Sequence, residues 1–246
     1  MQPTHIFTNG CSFLTTRPKQ RVDTHVGAEL AKLMNLETAL HLGGGGRGNK
    51  RCSITTKVWC EKNPELAEKC FFVIGITSGQ RFDYPTTDQY KKHKFPELAT
   101  AWKTYKPQVP AEAEKFFRHL FVTMKLDLDQ MIQYESIEAT LNLQHYFKIK
   151  KYPYVMYKTI SDPDIKIDHK SKDVKALWNL IDKTRYFRPE TSHKDYTVDN
   201  NQQCSPGDIH PSPEGHKDWA KQLKEFIDAN DLRTIKQQEE QGMGSV

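Results

Sequence analysis

Three residue types able to run acyl chemistry stand near opposite ends of this chain of 246 residues. Ser12 follows a short β-prone run, Thr4 to Thr8, and a turn signal at Asn9 and Gly10, before any helical pattern begins. A hydroxyl placed there is carried at the carboxyl end of a strand. In an open α/β sheet that edge binds ligands, and N–H groups at the start of a following helix can stabilise an anion. A serine needs a base to become a nucleophile, and His210 is the candidate, with Asp208 two residues before it to orient the ring. Neutral imidazole, with an ordinary pKa of about 6.5, can take the hydroxyl proton at neutral pH and return it to a leaving group. Plainer readings stand beside these. Ser12 could cap the first helix, and Asp208 to Pro211 could be the loop that starts the last one, with Ser212 as N-cap and Pro213 as first helical residue. Cys11 is a neighbouring thiol whose side chain should point away from that of Ser12.

Between these ends lies the most glycine-dense stretch, Gly43, Gly44, Gly45, Gly46 and Gly48, followed by Asn49. Glycines after a strand let backbone approach a ligand closely and could cradle a phosphate. The spacing argues against a nucleotide site, because Gly48 is followed by Asn49, Lys50 and Arg51 rather than by glycine, lysine and a hydroxyl residue. The structural alternative is a tight turn, with Asn49 capping a helix that runs to Cys60.

Gly10, Cys11, Ser12 and Phe13, together with Asp208, Ile209, His210, Pro211 and Gly215 near the other end, resemble the SGNH (GDSL-type) hydrolases, serine esterases and lipases on a flavodoxin-like sheet. The resemblance implies an α/β fold, a three-layer flavodoxin-like parallel sheet with loop and helix insertions. It implies Ser12, Asp208 and His210 as catalytic residues. The glycine loop takes the place of the second family block, which makes Gly46, Gly48 and Asn49 candidate oxyanion donors. The third block, expected as Gly-x-Asn-Asp, reads Gly75, Ile76, Thr77, Ser78, so the missing amide falls to Asn49 or to the Thr77 hydroxyl. Arg81 resembles an arginine that follows this strand in related sequences; it would hold an anionic substrate group or pair with Asp83. Two further departures are that Cys11 replaces the usual aspartate and that Gly207 stands three residues before the histidine, where the acid is expected. The implied activity is hydrolysis of an ester through an acyl-enzyme on Ser12. A small acyl group such as acetyl on a carbohydrate suits a polar, loop-lined site better than a long lipid chain. The competing classes are a catalytically degraded binding or virion-associated module and, through the glycine loop, a nucleotide binder. Compact sequences with this Gly-Cys-Ser-Phe form resemble those of phages and bacteria.

The elements that must position these residues alternate in type. Strands are expected from Thr4, at Glu37 to Leu42, at Cys70 to Thr77 and at Tyr152 to Ile160. The continuous apolar run at 70–77 reads as a central strand covered on both faces. Helices are expected at His25 to Met34, from Asn49 to Cys60, from Ala111 to about Phe147, at Lys172 to Phe187 and at Pro213 to Leu232. His119 and His145 fall within the third and read as structural or exposed. Phe82 to Pro110 reads as a long loop, a candidate lid with Trp102 and Tyr105 available to line a pocket, and Arg188 to Ser205 reads as a loop that delivers Asp208 and His210. Alternating β and α units predict a parallel sheet in a single domain over 1–232, with a disordered tail at 233–246.

Composition limits the classes. Lysine and arginine number 36 against 31 acidic residues, a net charge of +5, which is too diffuse for a dedicated nucleic-acid surface. Mean hydropathy is -0.74 and 37% of residues are hydrophobic, with no apolar run long enough for a membrane span. No leader pattern precedes Gln2, so a cytoplasmic protein is expected, or a virion protein if phage-encoded. Five cysteines without paired close spacing suggest reduced thiols rather than disulfides or a metal site. No cofactor is called for, and a small-molecule or carbohydrate ester is the expected partner, with no nucleic acid and no membrane.

Overall fold

The computed structural model describes residues 2–86, 101–105, 115, 118–125, 127–161 and 172–234. The tail expected beyond 232 lies outside these residues from 235 onward, as does most of the proposed lid.

Five strands form one parallel sheet: β1 (His5–Asn9), β2 (Glu37–His41), β3 (Cys70–Ile76), β6 (Tyr154–Lys158) and β7 (Tyr186–Phe187), in the order β2-β1-β3-β6-β7. That is the flavodoxin-like order, in which the switch point lies between β1 and β3. The central strand β3 is buried at every residue, as its unbroken apolar run requires. Alternation survives inside that run. Phe72, Ile74 and Ile76 enter one core with Phe7, Trp59, Phe147 and Met156, whereas Phe71 and Val73 enter another with Ile6, Leu30, Val155 and Trp219.

Helices cover both faces. α1 (Val26–Met34) and α7 (Pro213–Ala229) pack together on one side, and α2 (Asn49–Lys62) and α4 (Leu128–Lys150) on the other, where α5 (Lys172–Leu180) adds Val174. The short α3 (Pro64–Ala67) leads into β3, and α6 (His193–Asp199) precedes the base loop. Starts and stops follow local chemistry. His25 caps α1 by accepting from Ala28 N, and Asn35 ends it in the left-handed conformation. Ser212 caps α7 by accepting from Gly215 N, with Pro213 in the first turn as the sequence suggests.

Several expected boundaries are corrected. Asn49 does not cap α2. Gly48 occupies the cap position and Asn49 is already helical, its side chain drawn to β3. The helix expected from Ala111 is interrupted: its first residues lie outside those described, Lys115 and Arg118 are helical, His119–Thr123 form a π-helical turn, and after Lys125 breaks the backbone at φ 56° α4 starts afresh at Leu128, where Asp127 caps it by accepting from Gln130 N. The helix from Lys172 stops at Leu180, and Tyr186 and Phe187, read as its end, form β7 and pair with Met156 and Tyr157. Within the expected loop 188–205, Ser192 and Asp195 form a reciprocal capping box that starts α6. β4 (Phe82–Thr86) and β5 (Ala101–Tyr105) form an antiparallel pair where a loop was expected. No helix among the described residues is long and apolar enough to cross a membrane.

Candidate active site

The turn after β1 is made tight by what surrounds Gly10. Asn9 Oδ1 accepts from Gly10 N at 2.8 Å, and Asn9 Nδ2 lies within bonding distance of the Cys52 carbonyl and the Thr55 and Thr56 hydroxyls, which fastens the strand end to α2. A Cβ on Gly10 would come within 2.5 Å of Leu14 Cδ1 and 2.9 Å of the Gly75 carbonyl. Leu14 therefore lies in a notch between two glycines, and the chain turns at once into a single 3-10 turn, Ser12–Leu14, above the strand ends. Phe13 and Leu14 go down into the core, and Ser12 is left half-buried above them. Cys11 is fully buried, its thiol 3.2 Å from the Thr159 hydroxyl.

The base arrives on a closed loop. Cys204 N donates to the His210 carbonyl at 2.9 Å, Gln203 and Pro211 form an antiparallel bridge, and Asp208 N donates to the Ser205 carbonyl at 3.1 Å. Gly207 sits in this turn at φ +80°, a conformation that favours glycine. The His210 ring stacks on Phe13, with centroids 5.0 Å apart and planes 28° from parallel, so the residue after Ser12 is the platform for the ring opposite it.

Ser12 Oγ and His210 Nε2 are 2.8 Å apart, and His210 Nδ1 and Asp208 Oδ1 are 2.6 Å apart. With Nδ1–H donating to the carboxylate, Nε2 is the free lone pair and accepts the serine hydroxyl. Asp208 reaches the ring from only two residues away because its Oδ1 also accepts the His210 backbone N–H at 2.9 Å. This local closure makes the shortened spacing workable. The Asp208 carboxyl is held well below the usual range: burial works to raise it, but the backbone and ring N–H bonds of His210 and a thiol bond from Cys204 outweigh that. His210 is lowered from 6.5, first by burial and further by the charges of Arg17 and Arg81, against the raising effect of Asp208. The imidazole is accordingly neutral and able to accept a proton at pH 7.

The other expected residues lie around this series with different freedom. Gly44 N donates to the Gly10 carbonyl at 3.2 Å, which brings the glycine loop alongside the serine turn. Gly46 stands in that loop at φ +74° with open space about it. Gly48 N–H is engaged by Asp83 Oδ1 at 3.2 Å. Asn49 is nearly fully buried, its amide nitrogen donating to the Thr77 carbonyl at 2.8 Å and to Ser136 Oγ at 3.2 Å, while its oxygen accepts Thr77 N–H at 2.8 Å. Asn49 thus acts as a backbone-like clamp on the end of β3. The Thr77 hydroxyl, also buried, has no hydrogen-bond partner among the described residues. Arg81 donates to the Arg47 carbonyl at 3.1 Å and makes no ion pair with Asp83, whose two oxygens accept the N–H groups of Gly48 and Arg51.

Two site residues were not singled out by sequence. Arg17, five positions after Ser12, bonds Asp208 Oδ1 through Nη1 at 3.2 Å, and Cys204 supplies the thiol just described. Neither partnership leaves a local pattern, although a cation close behind a candidate nucleophile is a signal that could have been followed. All five cysteines are free, and among the described residues no group of three His, Cys, Asp or Glu side chains is placed to hold a metal.

Comparison with known proteins adds little to this geometry. No protein-family model matches the chain, and no curated protein matches it. Among solved structures it is similar to an acetyl xylan esterase, Est2A, from the rumen bacterium Butyrivibrio proteoclasticus, with 11% identity and a TM-score of 0.45. That alignment covers 95% of this chain and 66% of the other, so this chain spans slightly under two thirds of the protein it matches. At that level the likeness carries no argument, and the five-stranded parallel α/β architecture stands on the chain's own strand pairing.

Proposed function

We propose that this chain is a serine hydrolase of the SGNH type that transfers an acyl group from an ester to water through Ser12. One observation carries the reading: the hydrogen-bonded series from Ser12 Oγ to His210 Nε2 and from His210 Nδ1 to Asp208 Oδ1, assembled from residues near the two ends of the chain at one sheet edge. His210 takes the Ser12 proton as Oγ attacks the ester carbonyl. The imidazolium, stabilised by Asp208, then protonates the leaving alcohol, and a water activated by the same imidazole releases the acyl group.

The negative charge on the carbonyl oxygen needs donors aimed at it. The first N–H groups of the Ser12–Leu14 turn have no partner within their own helix, and the N–H of Gly46 stands in the adjacent loop. The commitments of Asn49 and Gly48 favour Thr77 for the third donor, since its hydroxyl is buried with its hydrogen-bonding capacity unspent. Arg81, free of carboxylate partners among the described residues, is suited to an anionic group on the substrate. The acyl group in this reading is small, such as acetyl, and the alcohol a carbohydrate, in keeping with polar loops around Ser12.

The test is turnover of p-nitrophenyl acetate by the wild type, Ser12→Ala and His210→Ala. Hydrolysis lost in both variants supports the reading. A wild type that is folded by circular dichroism yet inert points instead to a binding module that keeps the fold without the chemistry.

A further inference from the structure

Arg17 links the two halves of the site in a way that neither the fold nor the hydrolase mechanism requires. Its backbone is pinned close to Ser12. Arg17 N donates to the Val22 carbonyl at 2.6 Å and Val22 N donates back at 3.2 Å, closing a short loop over the 3-10 turn Pro18–Gln20 whose far end, Val22, is fully buried. From that fixed base Nη1 reaches Asp208 Oδ1, the same oxygen that accepts both the ring and the backbone N–H of His210. One carboxylate oxygen thus joins the segment carrying the nucleophile to the segment carrying the base. The two side chains are similarly sheltered, 22% and 21% exposed, so this is a partly desolvated pair rather than a loose surface contact.

We propose that Arg17 is a positioning residue of the site, which locks Asp208 against His210 and sets how readily the ring takes up a proton. The proposal rests on the Ser12 hydrolase reading for its catalytic meaning, but its geometry stands apart from turnover. Bonds of 3.2 Å and 2.6 Å to one oxygen place the guanidinium nitrogen and His210 Nδ1 no more than about 6 Å apart, near enough for a unit charge to act on the ring. The charged groups acting on His210 are Asp208, which favours the imidazolium, and Arg17 and Arg81, which oppose it. His216 lies close enough to feel the charge of His210, and the Cys204 thiol bonds Asp208. Arg17 is therefore a counterweight to Asp208. It fixes the geometry of the acid and keeps the acid from making the imidazole too strong a base.

The direction of the effect separates this role from simple bracing. Arg17→Gln removes the charge and should raise the His210 pKa by about 0.5 to 1 unit, the size expected for a cation about 6 Å away in a partly wet site. Asp208→Asn should lower it. The measurement is an NMR titration of the imidazole in full-length protein labelled at histidine, with His210→Gln used to assign the resonance. Fluorophosphonate labelling of Ser12 is followed in parallel. Arg17→Lys keeps the charge but loses the planar fork. It should leave the His210 pKa within about 0.3 unit of wild type while slowing labelling severalfold. A His210 pKa that is unchanged or lowered in Arg17→Gln overturns the proposal. If that variant does not fold, wild-type labelling rates in Arg17→Lys overturn the positioning role by themselves. Absence of labelling in the wild type would refute the hydrolase reading and leave the titration to decide the role of Arg17.

Discussion

Acidification from pH 7.5 to 5.5 should strip this fold of a large part of its stability, because several histidines are buried in the neutral form. His25 is lowered to about 3, by burial and by the neighbouring His41 and His216. His41 is lowered to about 4 by burial, and His216 to about 4 by burial, with Glu29 opposing and His210 assisting. His25 and His41 meet edge to face at 4.1 Å, and His41 Nδ1 is 2.5 Å from the Thr8 hydroxyl, so a charge on either ring would face the other at close range. The folded values lie below that of the unfolded chain, about 6.5. Their stabilising contribution is therefore complete above pH 6.5 and is lost as pH falls from there toward 4, where the unfolded state binds protons that the folded state refuses. At pH 5.5 each such group costs about 1.4 kcal/mol, and the three together about 4 kcal/mol, against a typical domain stability of about 5–15 kcal/mol. His193, fully buried and stacked on Trp219 at 4.8 Å, is also held well below the ordinary histidine value by burial and adds in the same direction. The assay is urea unfolding at pH 7.5, 6.5 and 5.5, with His216→Gln expected to flatten the dependence by roughly a quarter. A stability that is flat or rising between pH 6.5 and 5.5 would refute the reasoning, since structural carboxylates titrate mainly below this window.

Thr77→Val should lower kcat on an activated ester by about a hundredfold or more with KM little changed, if the unpartnered hydroxyl meets the oxyanion, and a variant at wild-type rate would remove Thr77 from the mechanism. Gly10→Ala should lose about 1–3 kcal/mol in urea unfolding, because the added methyl would stand 2.5 Å from Leu14 Cδ1 and 2.9 Å from the Gly75 carbonyl, and unchanged stability would show that the turn can yield.

The parts legible in the sequence were those with local causes. The apolar run from Cys70 read as a covered strand and is one, and Ser212 with Pro213 announced α7. Asp208 and His210 were readable as a pair because they close on each other within three residues. What escaped depends on distant partners. Tyr186 and Phe187 look like the end of a helix face, and only pairing with Met156 and Tyr157 makes them a strand. The role of Asn49 is set by Thr77 and Ser136, 28 and 87 residues away, so neither its helix-cap appearance nor its closeness to the glycines disclosed where its amide would go. Arg17 meets Asp208 across 191 residues, beyond any periodicity. The capping box at Ser192 and Asp195 is different: it is a local signal within a polar stretch that was legible and was passed over.

The most direct test of the central claim is to treat the purified protein with a fluorophosphonate and map the adduct by mass spectrometry in wild type and His210→Ala. One adduct, on Ser12, that disappears when His210 is removed is the result the Ser12–His210 geometry predicts. A natively folded wild type that remains unlabelled, or is labelled at another residue, would contradict it.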